Sequence, residues 1–310
     1  MIEGNVIHNY LDEICKELNI KYKYLSKDWI IKLEKNNKTR FITGYKFDLN
    51  NHALGNIFDD KYAVYEVLKD ENIKVIEHNI FYSKDNEAYY AQGCKDINLI
   101  KEYFYNHNNK VVIKANTGNS GSEVYLISDI ENIEPVVEDL FIKNYSISYC
   151  PYYEALREYR IIVLNNSIKL IYQKIKPIVK GNGTSTIKEL LIEFNPYYFN
   201  DIELDSTYDR VLELNELYEY DWKFNLSKGA ISEVVDNKDT INDLTNIVNS
   251  ITNKIDIGFA SVDIIELPNK EYYVMEINSG VTMKKVINTV GEDIVKNIYK
   301  EAINQLFINC

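Results

Sequence analysis

The chain has 310 residues and carries 35 basic against 47 acidic side chains, a formal net charge of −12. That balance excludes a nucleic-acid footprint, because phosphate backbones are held by clustered Lys and Arg, and the length exceeds what one hydrophobic core usually serves, so two or three packed subdomains are expected. Cys15, Cys94, Cys150 and Cys310 lie far apart with no CxxC or neighbouring His pattern, which argues against a zinc site or a disulfide framework and predicts a reducing compartment, the cytoplasm; no stretch reads as a signal peptide or a membrane span.

In chain order, apolar side chains at 7, 10, 11, 14, 15 and 18 predict an amphipathic helix. Strands follow at 29–34 and 39–45 around the turn Lys35-Asn36-Asn37-Lys38, completing a small α/β unit. DDKYAVYEVLK, 59–69, begins with an Asp cap signal and continues as a helix, and NIKVIEHNIF after it reads as a strand. A helix near 96–106 precedes the strand 111–115. Lys114 interrupts that otherwise apolar strand, and a loop with Gly118, Ser120, Gly121 and Ser122 follows at once. Small residues let backbone N–H groups approach phosphate oxygens, with the Lys as a point charge. A hairpin with a lysine reaching out to solvent explains the same residues equally well.

YSISYC, YRIIVL and IKLIYQKI, between 145 and 175, predict an antiparallel meander with a turn at Asn165-Asn166. Thr186 or Ser185 with Glu189 forms a capping-box signal for a helix to 191, 195–228 reads as mixed helix and loop, and Asn225 to Gly229 as a compact polar turn. Helices are expected over 241–257 and 291–308. Between them FASVDIIELPNKEYYVMEINSG, 259–280, predicts a hairpin turning at Pro268-Asn269. Glu276 and Asn278 share one strand face, and the hairpin brings Asp263 alongside them. Two acids and a carboxamide without His or Cys suit a hard cation such as Mg2+. For one isolated strand acid, plain solvent exposure would be the simpler explanation.

Read together, these segments resemble the ATP-grasp superfamily, and most of all the ATP-grasp module of cyanophycin synthetases and glutathione-synthetase-like enzymes. The resemblance runs from about Asp59 to Met283 and is carried, in the family's order, by DDKYAVYEVLK, VVIKANTGNSGSEV, REYRIIVLNNSIKLIYQKIKPIVKGNGTSTIKELL, FNLSKGA, and SVDIIE with VMEINSG. It implies an α+β fold in which two subdomains clasp ATP, with domains at 1–75 (a small N-terminal pre-ATP-grasp unit), 76–150 (central, with the glycine-rich lid) and 151–310 (C-terminal, with the metal site). By resemblance, Lys61 and Lys114 grip phosphates under the Gly118–Ser122 lid, and backbone groups from Tyr149, Cys150 and Pro151 meet the adenine. Glu158 meets the ribose. Asp263, Glu276 and Asn278 hold one or two Mg2+ ions, or Mn2+. Arg160, Lys174, Lys223 and Asn225 face the transferred phosphoryl group and the tetrahedral intermediate, although Arg160 could instead be structural, pairing with Glu158 or a neighbouring strand.

The expected reaction is ATP-dependent amide formation through an acyl phosphate, releasing ADP and phosphate. Its partners would be a small-molecule carboxylate and an amine, amino acids or a peptide, with a homodimer as an option. Modification of a ribosomal peptide and a non-catalytic nucleotide sensor or scaffold are the alternatives. The sequence departs from the family pattern where Ser148 and Tyr149 replace the acid beside the adenine. It departs again where Lys174, Lys176 and Lys223 stand for arginines, keeping the charge but losing the bidentate fork.

Overall fold

The computed structural model describes residues 6–117 and 123–308. Helix α1 (Ile7–Glu17) buries Ile7, Tyr10, Leu11, Ile14 and Cys15, the face its spacing predicts. Strands β1 (Lys21–Leu25), β2 (Ile30–Lys35), β3 (Lys38–Thr43) and β4 (Lys46–Phe47) pair antiparallel in that order. Asn36 and Asn37, at φ 50° and 60°, close the β2–β3 hairpin, because a two-residue turn of matching twist needs positive φ at both positions. Helices α2 (His52–Asp59) and α3 (Lys61–Asp70) follow. Asp60 caps α3 by accepting from the Ala63 N–H at 2.8 Å.

The central sheet holds β5 (Asn79–Tyr82), β6 (Val111–Ala115), β7 (Val124–Ile127) and β8 (Ser146–Pro151) in the order β5-β8-β6-β7. Helices α4 (Ile97–Asn106) and α5 (Ile133–Phe141) cover one face, where Phe81, Ile100, Phe104, Ile113, Ile147 and Tyr149 are buried together. The meander expected over 145–175 is therefore divided. YSISYC forms β8 in this sheet, and residues 152–156 carry the chain across to a second sheet. NIKVIEHNIF is divided likewise, with Val75 bridging the C-terminal sheet at Val274 while Asn79–Tyr82 pair with β8.

The second sheet is built from β9 (Arg157–Leu164) and β10 (Ser167–Ile175), then, after an excursion, β13 (Ile231–Val234), β14 (Phe259–Glu266) and β15 (Tyr272–Asn278), in the order β13-β10-β9-β14-β15. The excursion holds β11 (Ile178–Lys180), α6 (Ile187–Phe194), α7 (Pro196–Phe199) and β12 (Leu217–Glu219) around a small cluster of its own. Helix α8 (Lys238–Thr252) returns the chain to the sheet, and α9 (Ile287–Val290) and α10 (Glu292–Gln305) close it. One sheet face packs on α2, α3 and α8, with Phe58, Val64, Leu68, Leu244 and Val248 buried. The other packs on α1, the N-terminal sheet and α10, so residues 6–75 contribute to both faces. Among the described residues no helix is long and apolar enough to cross a membrane.

Candidate functional site

A cleft of about 730 Å³ opens between the central and C-terminal sheets. The central sheet presents Lys114 from β6 and Cys150 and Pro151 from β8; the C-terminal sheet presents Glu158 and Arg160 from β9, Lys174 from β10, Asp263 from β14, and Glu276 and Asn278 from β15. Lys61 enters from the first turn of α3, and Lys223 and Asn225 from the loop before β13. Gly118, Ser120, Gly121 and Ser122 lie outside the described residues.

The hairpin geometry follows the strand period. Asp263 pairs with Glu276 and Ser261 with Asn278, while a bulge between Asp263 and Ile264 resets the register toward the turn. Asn278 donates from Nδ2 to Glu276 Oε1 at 3.0 Å. Asp263 is wholly buried and accepts two bonds from Arg160, Nε to Oδ1 at 2.6 Å and Nη2 to Oδ2 at 2.5 Å. Lys174 Nζ donates to Asp263 Oδ2 at 3.3 Å and also to Glu158. Burial pushes both carboxyls up. For Asp263, Arg160 and Lys174 outweigh burial and hold it at about 2, whereas for Glu158 burial outweighs Lys174 and the group stays raised.

Arg160 pairs with Asp263 on the neighbouring strand β14, the second of the partners its structural alternative allowed. Glu158 lines the cleft with its carboxylate bonded to Lys174. At the hinge the expectation concerned backbone groups, and the side chains there divide between core and cleft. Tyr149 points its ring away from the cleft into the central core, edge-on to Tyr103 at 5.1 Å, because side chains alternate along β8. Its neighbours Cys150 and Pro151 line the cleft, joined by Tyr152, Tyr153 and Trp222, which sequence reading missed.

Lys114 is 6% exposed, and among the described residues its ammonium has no hydrogen-bond or ion-pair partner. Desolvation without a counter-ion is costly, so such a group marks where an anion belongs. Lys61 lies beside it: burial lowers its pKa, Glu276 opposes that shift and Lys114 adds to it. Asn116, the residue after β6, accepts from the Lys61 backbone N–H at 3.1 Å and, through its side chain, from the Tyr62 N–H at 3.1 Å. It fixes the first turn of α3 against β6, so the two lysines enter the cleft together.

At the opposite wall the Asn225 turn is compact, with Lys228 and Ala230 N–H groups donating to the Asn225 carbonyl at 2.8 and 3.2 Å. Burial lowers the pKa of Lys223, whose ammonium sits 5.6 Å from the Trp222 ring centre. The oxygen donors of Asp263, Glu276 and Asn278 suit a hard cation in type. Among the described residues, however, no three His, Cys, Asp or Glu side chains converge on one metal position. Both Asp263 oxygens are engaged by Arg160 and Lys174, so a cation here would rest on Glu276 and Asn278 and complete its shell with further oxygens, as Mg2+ does with nucleotide phosphates.

Residues 210–302 match the model of the RimK-like ATP-grasp domain. That stretch includes β14 and β15, which carry Asp263, Glu276 and Asn278. The chain is 24% identical over 261 residues to the glutathione biosynthesis bifunctional protein GshAB of Clostridium perfringens, covering 83% of this chain and 30% of that one. It is also 22% identical over 279 residues to a cyanophycin synthetase of Geminocystis herdmanii, covering 80% of this chain and 30% of that one. The chain thus spans about a third of the length of either relative. In fold it is similar to the D-alanyl-alanine synthetase A of Vibrio cholerae, with a TM-score of 0.55 and 12% identity over 97% of this chain and 93% of the other. The α+β architecture of two sheets facing across a cleft is the ATP-grasp fold.

Proposed function

We propose that the protein is an ATP-dependent carboxylate–amine ligase that works through an acyl phosphate and releases ADP and phosphate. The observation that carries this reading is the buried Lys114 ammonium, without a hydrogen-bond or ion-pair partner among the described residues, lining the same cleft as Glu276 and Asn278. Lys61 and Lys114 bind the nucleotide phosphates, and Cys150 and Pro151 offer backbone to the base between Tyr152 and the C-terminal sheet. Mg2+, held by Glu276 and Asn278 with the Asp263 charge beside them, would supply charge neutralisation at the β- and γ-phosphates. Arg160 and Lys174 keep Asp263 ionised and place positive charge beside the transferred group.

In the first step a substrate carboxylate oxygen attacks the γ-phosphorus and ADP leaves. In the second an amine nitrogen attacks the acyl carbon, phosphate leaves and the nitrogen loses a proton. Lys223 and Asn225, on the facing loop, steady the oxyanion that forms in the second step, after the amine attacks and before phosphate leaves. Substrates are amino acids or small peptides, in keeping with the relatives' names, and the cytoplasm is the expected setting.

The test combines purified protein, ATP, Mg2+ and pooled amino acids, with ADP and phosphate assayed and condensed products sought by mass spectrometry. ADP and phosphate should form in step with a product lighter than its parts by one water. Lys114→Ala should lower kcat/KM for ATP by about a hundredfold, the scale expected when a charged donor to a phosphate is lost. AMP and pyrophosphate, or nucleotide binding without ADP release, would overturn the reading.

A further inference from the structure

Beyond Asn278 the cleft continues into a region that the phosphate and cation residues do not occupy, where three chain segments meet. Asp59 ends α2, two residues before Lys61, and accepts from Ser279 Oγ at 2.9 Å, the residue immediately after Asn278. Lys46 of β4 donates to the other Asp59 oxygen. The N-terminal sheet is tied to this point by backbone as well, with Lys46 bridging Gly280 and the Val281 N–H donating to the Tyr45 carbonyl at 3.1 Å. Asp59 and Lys46 both line the cleft, with about a third of the Asp59 side chain and nearly half of Lys46 open to solvent. Thr282 and Lys285 line the wall beyond them, and Trp29 stands over Gly44 at the rim, half exposed.

This carboxylate is bonded to the residue that follows Asn278 and stands two residues before Lys61 in the chain. It has no positive charge to offer nucleotide phosphates and would repel them unless a cation stood between. Its oxygens accept from a neutral hydroxyl and from a mobile lysine whose partly exposed ion pair contributes little by itself. A substrate ammonium can replace that lysine at small cost. With its nitrogen on Asp59, a substrate of short reach has its own carboxylate directed toward Glu276, Asn278 and the phosphate lysines, where the first step of the ligase reading requires it. The displaced Lys46 stays on the same wall, available to a second anionic group.

We infer that Asp59 is the ammonium-recognition residue of the phosphorylated substrate, which makes that substrate an amino acid or another short aminocarboxylate with a free amino group. This rests on the ligase reading above and adds to it the chemical class of the donor and a residue that selects it. Asp59 touches the substrate at a non-reacting atom and is a specificity residue.

Hydroxylamine in place of the amine isolates the donor, since its nitrogen attacks the acyl phosphate, phosphate leaves, and a hydroxamate accumulates whatever the natural acceptor is. The full chain would be incubated with ATP, Mg2+, hydroxylamine and single donors. The donors are the standard amino acids, their N-acetyl derivatives, and simple carboxylates such as acetate and succinate. A free amino acid should give hydroxamate with kcat/KM at least about tenfold above that of its N-acetyl form, as expected for loss of a charge-assisted bond. Asp59→Asn should raise the KM of that amino acid about tenfold or more and erase the preference over the N-acetyl form, with the KM of ATP held within about twofold.

Calorimetric binding of ADP with Mg2+ to Asp59→Asn separates loss of recognition from loss of fold. The wild-type comparison of free and N-acetyl donors does not depend on any variant. Equal use of N-acetyl donors or of simple carboxylates, or a preserved preference in Asp59→Asn, overturns the assignment and leaves the ligase reading standing. No hydroxamate and no ADP from any donor overturns both.

Discussion

Asp263 carries more charge contacts than any other acid in the cleft, and its removal isolates what they contribute. Breaking a buried pair leaves the partner's charge uncompensated, here Arg160 and, in part, Lys174. Asp263→Ala should therefore cost about 3 kcal/mol or more in urea unfolding of the metal-free protein, well beyond the usual effect of a surface acid. The pH dependence has a definite sign. The folded Asp263 carboxyl sits at about 2, below its unfolded value, so the stabilisation is complete above about pH 4 and is lost as the pH falls from 4 toward 2. The shift corresponds to about 2 kcal/mol, and acid unfolding of Asp263→Asn should show a correspondingly shallower loss over that interval.

Sequence reading found Asp263 by its place in an apolar strand, but not its partners. Arg160 and Lys174 stand 103 and 89 residues away along the chain, and strand periodicity says which face a residue takes without saying which strand lies next to it. The same gap hid Asp59, which reads in the sequence only as half of a helix cap signal.

Among the elements, those whose turns dictate their geometry were the most legible. Asn36-Asn37 and Asn165-Asn166 both adopt positive φ and both close hairpins. The Thr186–Glu189 capping box is present with both of its bonds. Segments whose role is to cross between sheets were misread, because YSISYC and YRIIVL carry the same strand signal although they belong to different sheets. Strand β1 escaped because its core-facing side chains are Tyr22 and Tyr24, only partly buried, and KYKYL has no aliphatic run to mark a strand.

The turn at Asn225 supports an element-scale prediction. Gly229 closes it at φ +97°, its carbonyl accepts from Asn195 Nδ2 at 2.9 Å, and an added Cβ would lie 2.6 Å from Phe199 Cζ. Phe199 is buried in the excursion's core and cannot yield freely. Gly229→Ala should cost about 2 kcal/mol through backbone strain and overpacking, and it should displace Lys223 and Asn225. The expected readout is a fall in kcat larger than any change in ADP affinity; unchanged turnover would place this loop outside the chemistry.

At the scale of the whole molecule, the two halves of the candidate site lie on sheets that share no strand. They are joined by the 152–156 crossing, by the Val75–Val274 bridge and by the packing of α3. A nucleotide bound between them contacts both, so its binding energy stabilises both. With ADP and Mg2+ at a hundred times Kd, mass action adds about 2.7 kcal/mol, which for a chain of this size raises Tm by roughly 5 °C. Lys114 lies on the central sheet and Glu276 on the C-terminal one. On the proposed reading, Lys114→Ala would remove a phosphate partner from one side, and Glu276→Gln would weaken the cation's hold from the other. Each variant measured at the same ligand concentrations should lose most of the shift, although the residues belong to different cores. A shift that survives intact in Glu276→Gln but not in Lys114→Ala would mean that the nucleotide is held by the central sheet alone. The facing carboxylates would then belong to some other ligand, and the ligase reading would lose its second wall.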